Sequence, residues 1–175
     1  GRVLAVVGLV VLGGVGAAPA VVRLLAPGFG AEESAFAAEL ARIMMPFLLL
    51  VSLSAVAMGM LNARGRFAAP ALAPALFNAA AIGVGIWIWA AGYGPRAAAV
   101  GWSLGTVLGG LLQLAGQWPS LRALGYRPRP RLGAEVLRDP GVRRVGRLMA
   151  ASVVGLSATQ VNILVNTVFA SHEIG

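Results

Sequence analysis

The chain has 175 residues, 58% of them hydrophobic and only 11% charged, with a formal net charge of +8. Soluble domains carry about a quarter charged residues, so a chain this apolar (mean hydropathy +0.82) lacks the polar surface to cover itself in water. The bilayer is the expected solvent, and nucleic acid is not an expected partner, because the basic side chains flank apolar runs instead of interleaving with aromatics on a polar face.

There are no cysteines, so disulfides and Cys-based metal sites are excluded. The one histidine, His172, reads as a solvated residue near the end of the chain. No metal, cofactor or catalytic dyad is expected, and the chain does not read as an enzyme.

Five stretches are long enough to span the hydrocarbon at roughly 20 residues each: residues 3–22, 43–61, 71–91, 97–117 and 148–170. No long stretch alternates with period two, which argues against a β-barrel. Backbone satisfaction in lipid then leaves helices. The expected fold is an all-α membrane protein with five transmembrane helices. The chain starts at Gly1 and enters an apolar stretch directly, which predicts an internal piece of a larger protein.

The connections differ in character. Ala26-Pro27-Gly28-Phe29-Gly30 is a breaker cluster. From Glu32 to Arg42, Ala35, Phe36, Leu40 and Ile43 recur at helical spacing, so this segment lies at the interface or extends span two by a turn or two. Pro46 is a candidate kink in the first turn or so of span two. Residues 62–67 join spans two and three, and Gly92-Tyr93-Gly94-Pro95-Arg96 is a tight turn. A basic loop, 118–147, follows span four. Its Arg127-Pro128-Arg129-Pro130-Arg131 is held extended by proline, and Asp139-Pro140 predicts an N-cap with Pro at the first helical position.

The arginines turn these spans into a topology. Arg2, Arg64, Arg66 and the loop arginines Arg122, Arg127, Arg129, Arg131, Arg138, Arg143, Arg144 and Arg147 fall on one side. Only Arg23, Arg42 and Arg96 fall on the other. The positive-inside rule puts the larger group in the cytoplasm, so the start of the chain and loop 118–147 are inside and the end of the chain is outside.

Within the spans, Gly101, Gly105 and Gly109 form a small-xxx-small row suited to helix packing. A second row holds Thr106, Gly110, Gln113 and Gln117, within about 60° on a helical wheel. Gln113 and Gln117 on one stripe do not suit lipid; they either bond a neighbour or line a wet cavity. Span five holds Ser152, Ser157, Thr159, Gln160, Asn162, Asn166 and Thr167, over more than half its circumference. It is either a central helix with interhelical hydrogen bonds or the lining of a hydrated path. Asn78 in span three poses the same choice. No span carries a charge near its middle. Glu135 and Asp139 read as caps and partners for arginines.

At the second connection, Asn62, Arg66, Phe67, Pro70, Ala71, Pro74 and Asn78 stand as N-x-x-x-R-F-x-x-P-A-x-x-P-x-x-x-N. This pattern resembles the bacterial MurJ (MviN) lipid II flippase family. Ala26-Pro27-Gly28-Phe29, Gly109-Gly110-x-x-Gln113, Gln117-x-Pro119-x-Leu121, Asp139-Pro140-Gly141-Val142-Arg143-Arg144-Val145, Leu148-Met149, Gly155-x-Ser157-x-x-Gln160-x-Asn162 and Asn166-Thr167-x-Phe169-Ala170-Ser171 follow in the family's order. The resemblance covers essentially the whole chain, and it is the joint order that is specific.

The resemblance implies a two-lobed, fourteen-helix transporter of the multidrug/oligosaccharidyl-lipid/polysaccharide exporter superfamily, of which this chain supplies about helices three to seven. It also implies alternating-access movement of the lipid-linked peptidoglycan precursor, lipid II, across the bacterial inner membrane for cell-wall synthesis. The cationic residues that hold the pyrophosphate in that family lie mainly on helices this chain lacks. Arg66 stands within the shared motif, though an interface anchor is its blander role. The implied partners are lipid II, the remaining helices of the same protein, and anionic lipids at the basic loop. Two other readings compete: an exporter of another polyprenyl-linked saccharide or a drug, and a membrane scaffold or pseudo-transporter acting through its basic loop.

Overall fold

The computed structural model describes residues 2–126 and 161–170, and every described element is helical. Two compact units divide these residues: 2–18 with 38–126, and 19–37 with 161–170. The helices are α1 (Arg2–Leu25), α2 (Ala31–Asn62), α3 (Ala68–Ala91), α4 (Pro95–Ala115) and α5 (Trp118–Ala123). A further apolar helical segment, α6, covers Val161–Ala170.

Among the described residues, four segments are long and apolar enough to cross a membrane: Val7–Leu25, Ala31–Asn62, Ala68–Ala91 and Pro95–Ala123. The first four apolar stretches of the sequence fall on α1 to α4. Of the fifth, 148–170, only α6 lies within the described residues.

The boundaries differ from expectation in two places. The segment 32–42 is continuous with span two and lengthens it by about three turns, more than the turn or two expected. It forms the first three turns of α2, which runs unbroken through Pro46 for 32 residues, about 48 Å against a hydrocarbon layer of about 30 Å. The breaker cluster ends at Gly30, and no Gly or Pro interrupts the chain from there to Pro46. Glu32 and Glu33 in the first turn complement the positive end of the helix dipole. The second difference is α5, which occupies the start of the expected loop 118–147 with Pro119 in its first turn, where a missing N–H costs nothing.

The helix ends follow from local chemistry. α2 closes with Arg66 N donating to Leu61 O at 2.9 Å and Gly65 N donating to Asn62 O at 3.0 Å. This is a Schellman turn, and its left-handed residue is Gly65 at φ 69°. α5 closes the same way: Tyr126 N donates to Leu121 O at 3.1 Å and Gly125 N to Arg122 O at 2.9 Å. The two leucines that accept these bonds, Leu61 and Leu121, are buried together with Ala57, packed by Met60, Ala69, Leu114, Trp118, Leu124 and Tyr126. The ends of α2 and α5 are thereby joined by a small apolar core.

α3 and α4 pack antiparallel through glycines of α4. A Cβ at Gly101 would lie 3.1 Å from Ile88 Cδ1, one at Gly105 2.7 Å from Val84 Cγ1, and one at Gly109 2.7 Å from Phe77 Cδ2. Gly116 lies in the same way against Leu76. The next residue after Gly109 faces another helix: a Cβ at Gly110 would lie 2.8 Å from Phe47 Cδ2 and 3.3 Å from Leu50 Cβ of α2. Phe47 and Phe77 meet with ring centroids 5.5 Å apart, where α2, α3 and α4 converge.

α1 is held to α2 by an unusual bond. Pro19 inside α1 has no N–H, so the carbonyl four residues earlier, Val15 O, loses its helical donor. Arg42 Nε of α2 donates to Val15 O at 3.2 Å.

Candidate functional site

The second row of span four, whose last member Gln117 lies past the end of α4 and just before α5, is the most structured polar feature among the described residues. Gly110 seats α4 against α2, and two turns on Gln117 reaches the same helix. Gln117 is fully buried, as is Ser54 of α2. Gln117 Nε2 lies 2.6 Å from Ser54 Oγ, 3.3 Å from Ser54 O and 3.2 Å from Gln113 O, donating within this cluster. Gln117 Oε1 is buried without a hydrogen-bond partner. A buried, unsatisfied carbonyl costs about 1–3 kcal/mol, so the seam holds an acceptor that any nearby donor would relieve. Gln117 therefore bonds a neighbouring helix here, while Gln113 is only half buried and keeps its side chain nearer the surface. Thr106 Oγ1 donates back to Trp102 O at 3.0 Å, within its own helix.

Ser54 was not singled out by sequence. The signal was present as a small polar residue in an apolar span, but Ser52 beside it looks the same. Ser52 Oγ merely donates to Leu48 O of its own helix at 2.6 Å. Only the position of α4 separates the two serines.

The other sequence-nominated positions are dispersed. Asn78 is exposed on α3. In α6, Asn162 and Asn166 are exposed and bond each other, with Asn166 Nδ2 donating to Asn162 Oδ1 at 2.9 Å. Thr167 Oγ1 donates to Ile163 O. Ser152, Ser157, Thr159 and Gln160 lie outside the described residues, as do loop residues 127–147.

The motif around the second connection builds the turn itself. Asn62 ends α2, Arg66 and Phe67 are exposed at the turn, and Pro70 is buried in the first turn of α3. Pro74, one turn on, is exposed and leaves Pro70 O without a helical donor. Arg66 and Phe67 line a shallow cleft with Ser120, about 360 Å³ in volume. Across the same turn, Arg64 lines a second cleft of about 430 Å³ with Leu121 of α5 and with Leu124 and Tyr126 just beyond it. The residues that close the turn are thus separate from the polar seam between α2 and α4.

This geometry joins helices in two ways. Glycine contacts let helices approach closely, and polar groups along their seams hold register without charge. The sequence model of the family described as "Lipid II flippase MurJ" matches residues 1–175. The chain is 38% identical over 160 residues to a "Probable lipid II flippase MurJ" of Rhizobium meliloti (strain 1021), covering 87% of this chain and 28% of that protein. It is 34% identical over 162 residues to the "Lipid II flippase MurJ" of Burkholderia cenocepacia, covering 91% of this chain and 31% of the relative. It is 30% identical over 165 residues to a "Probable lipid II flippase MurJ" of Buchnera aphidicola subsp. Acyrthosiphon pisum, covering 93% and 31%. The chain thus spans between 28% and 31% of the length of these relatives. With its long apolar helices and a family match along its whole length, this multi-pass bacterial membrane chain belongs to the lipid II flippase MurJ family.

Proposed function

We propose that this chain is the part of a lipid II flippase running from about the third to the seventh helix. The complete protein moves the lipid-linked peptidoglycan precursor across the inner membrane by alternating access, as a transporter and not a catalyst. The observation that carries this reading is the family match over residues 1–175. The remaining helices of the protein are its partners and supply the cationic substrate site.

In this reading the α2–α3 turn and loop 118–147 face the cytoplasm, since Arg64, Arg66 and the eight loop arginines lie there. The loop engages anionic lipid at about 1 kcal/mol per arginine near the surface. Gln113, Asn78, Asn162, Asn166, Ser157 and Gln160 line the hydrated path, and Gln117 holds α4 to α2 beside it. Gly101, Gly105 and Gly109 keep α3 and α4 in close contact.

Two experiments test this. In a strain depleted of its own flippase, the full-length protein is expected to restore growth and lipid II translocation. Stable expression without rescue would turn the reading toward an exporter of another polyprenyl-linked saccharide or a drug, or toward a scaffold. Cysteines placed at Gln113, Gln160 and Asn166 in the full-length protein are expected to react with water-soluble thiol reagents. Protection at all three in every state leaves helix packing as their only role.

A further inference from the structure

The end of the molecule that carries the α2–α3 turn has a charge pattern that helix capping does not exhaust. Arg64 and Arg66 lie on the turn and Arg122 on α5, while the described carboxylates, Glu32, Glu33 and Glu39, all lie in the first three turns of α2. Arg122 stacks over the Trp118 ring, 5.4 Å from its centroid. Two helix C-termini, of α2 and α5, also end here, each worth about half a negative charge. Three full positive charges exceed that, so the surface remains cationic.

Arg64 is exposed and lines the cleft of about 430 Å³ together with Met60, Leu121, Leu124 and Tyr126. Leu121 is buried at 3% exposure and belongs to the apolar core that joins α2 to α5. The cleft is therefore lined by apolar residues together with Arg64 and Tyr126. Its depth in the bilayer is marked by aromatics. Phe67, Trp118 and Tyr126 cluster at this end, and Trp87, Trp89 and Tyr93 at the far end of α3. From Phe67 to Trp89 the helix rises about 33 Å, close to one hydrocarbon thickness. Aromatic belts mark the two interfaces, which puts the cleft at headgroup level.

We propose that this cleft seats an anionic membrane phospholipid. Arg64 donates to the headgroup phosphate, the Tyr126 hydroxyl supplies a second donor, and Met60, Leu121 and Leu124 take up the glycerol and the first acyl carbons. A bilayer lipid fits better than a soluble phosphate, because a soluble ion has no use for the apolar lining. The seat rests on the membrane placement above and not on which lipid is flipped.

The test uses the full-length protein, delipidated in mild detergent and incubated with phosphatidylglycerol or phosphatidylcholine, with bound lipid read by native mass spectrometry. The wild type is expected to retain phosphatidylglycerol in preference to phosphatidylcholine. Arg64→Gln is expected to weaken retention about fivefold, the ratio that follows from about 1 kcal/mol per surface arginine. Tyr126→Phe, which removes one oxygen and keeps the ring, is expected to weaken it less. Arg96→Gln, at the opposite end of α3, is expected to leave it unchanged. Equal retention of the two lipids, an Arg64→Gln variant that folds and retains as the wild type does, or equal loss in Arg96→Gln would each overturn the seat. Displacement by inorganic phosphate would replace the lipid with a soluble anion and overturn it too. Lipid II translocation, measured separately on the same variants, reports on the flippase reading alone.

Discussion

Arg42 shows how a single side chain changes meaning between sequence and fold. By sequence it flanks a span and counts toward topology. In the structure it sits in the third to fourth turn of α2 and donates to Val15 O, a carbonyl that Pro19 leaves without its helical donor. The geometry makes a paired prediction. Arg42→Met is expected to lower stability by about 1 kcal/mol, less than the roughly 1.5–3 kcal/mol of a buried hydrogen bond from a charged donor because this bond is exposed. In a Pro19→Ala background, where residue 19 regains an N–H for Val15 O, the same substitution is expected to cost close to nothing. Thermal unfolding of the four full-length proteins in detergent gives the coupling. Equal costs in both backgrounds would mean that what Arg42 contributes does not depend on the donor missing at Pro19. Gln117 changes meaning in a similar way. Its spacing along span four was legible, but not that it would be fully buried against Ser54 with one oxygen left unpaired.

At the scale of the element, α4 is organised by two adjacent glycines that face different helices. Gly109 turns to Phe77 of α3 and Gly110 to Phe47 and Leu50 of α2. Successive residues on a helix are about 100° apart, so one pair of glycines can open two close contacts at once. The α3 seam predicts a graded series. Gly101→Ala meets the flexible tip of Ile88 at 3.1 Å, and the gain of about 1 kcal/mol in helix propensity roughly offsets the contact. Gly105→Ala meets the stiff β-branched Val84 at 2.7 Å and is expected to cost about 1 kcal/mol. Gly109→Ala meets the Phe77 ring at 2.7 Å and its backbone oxygen at 3.2 Å, which cannot move aside, and is expected to cost about 2–3 kcal/mol. Melting temperatures in detergent check the order. A Gly101→Ala variant less stable than Gly109→Ala would refute this account of the seam.

At the scale of the whole molecule, the described helices leave large apolar side chains exposed, with Trp89 at 82% and Leu9 at 71%. In a membrane protein such faces meet lipid or other helices of the same bundle. The proposed orientation is tested on intact cells. A cysteine at the exposed Ala63 is expected to react with an impermeant thiol reagent only after the membrane is opened, and a cysteine at Gly94 before it. The reverse pattern would invert the topology and move the phospholipid seat to the outer leaflet.

The sequence alone determined the helical class, the existence of the long apolar spans and the breakers between them. The reason is that transfer into a bilayer sums over a contiguous window, and helix termination depends on a few adjacent residues such as Gly65, Gly92 and Gly125. The resemblance around Asn62–Asn78 was equally legible, because a motif is a local order of residues. Tertiary structure decided which row of α4 meets which neighbour, that Ser54 and not Ser52 bonds Gln117, and that the carbonyl opened by Pro19 is filled by Arg42. It also placed Arg64 over an apolar cleft shared with α5. These pairings join residues as far as 63 positions apart. Their identity depends on where the chain returns in space, which no local window of sequence contains.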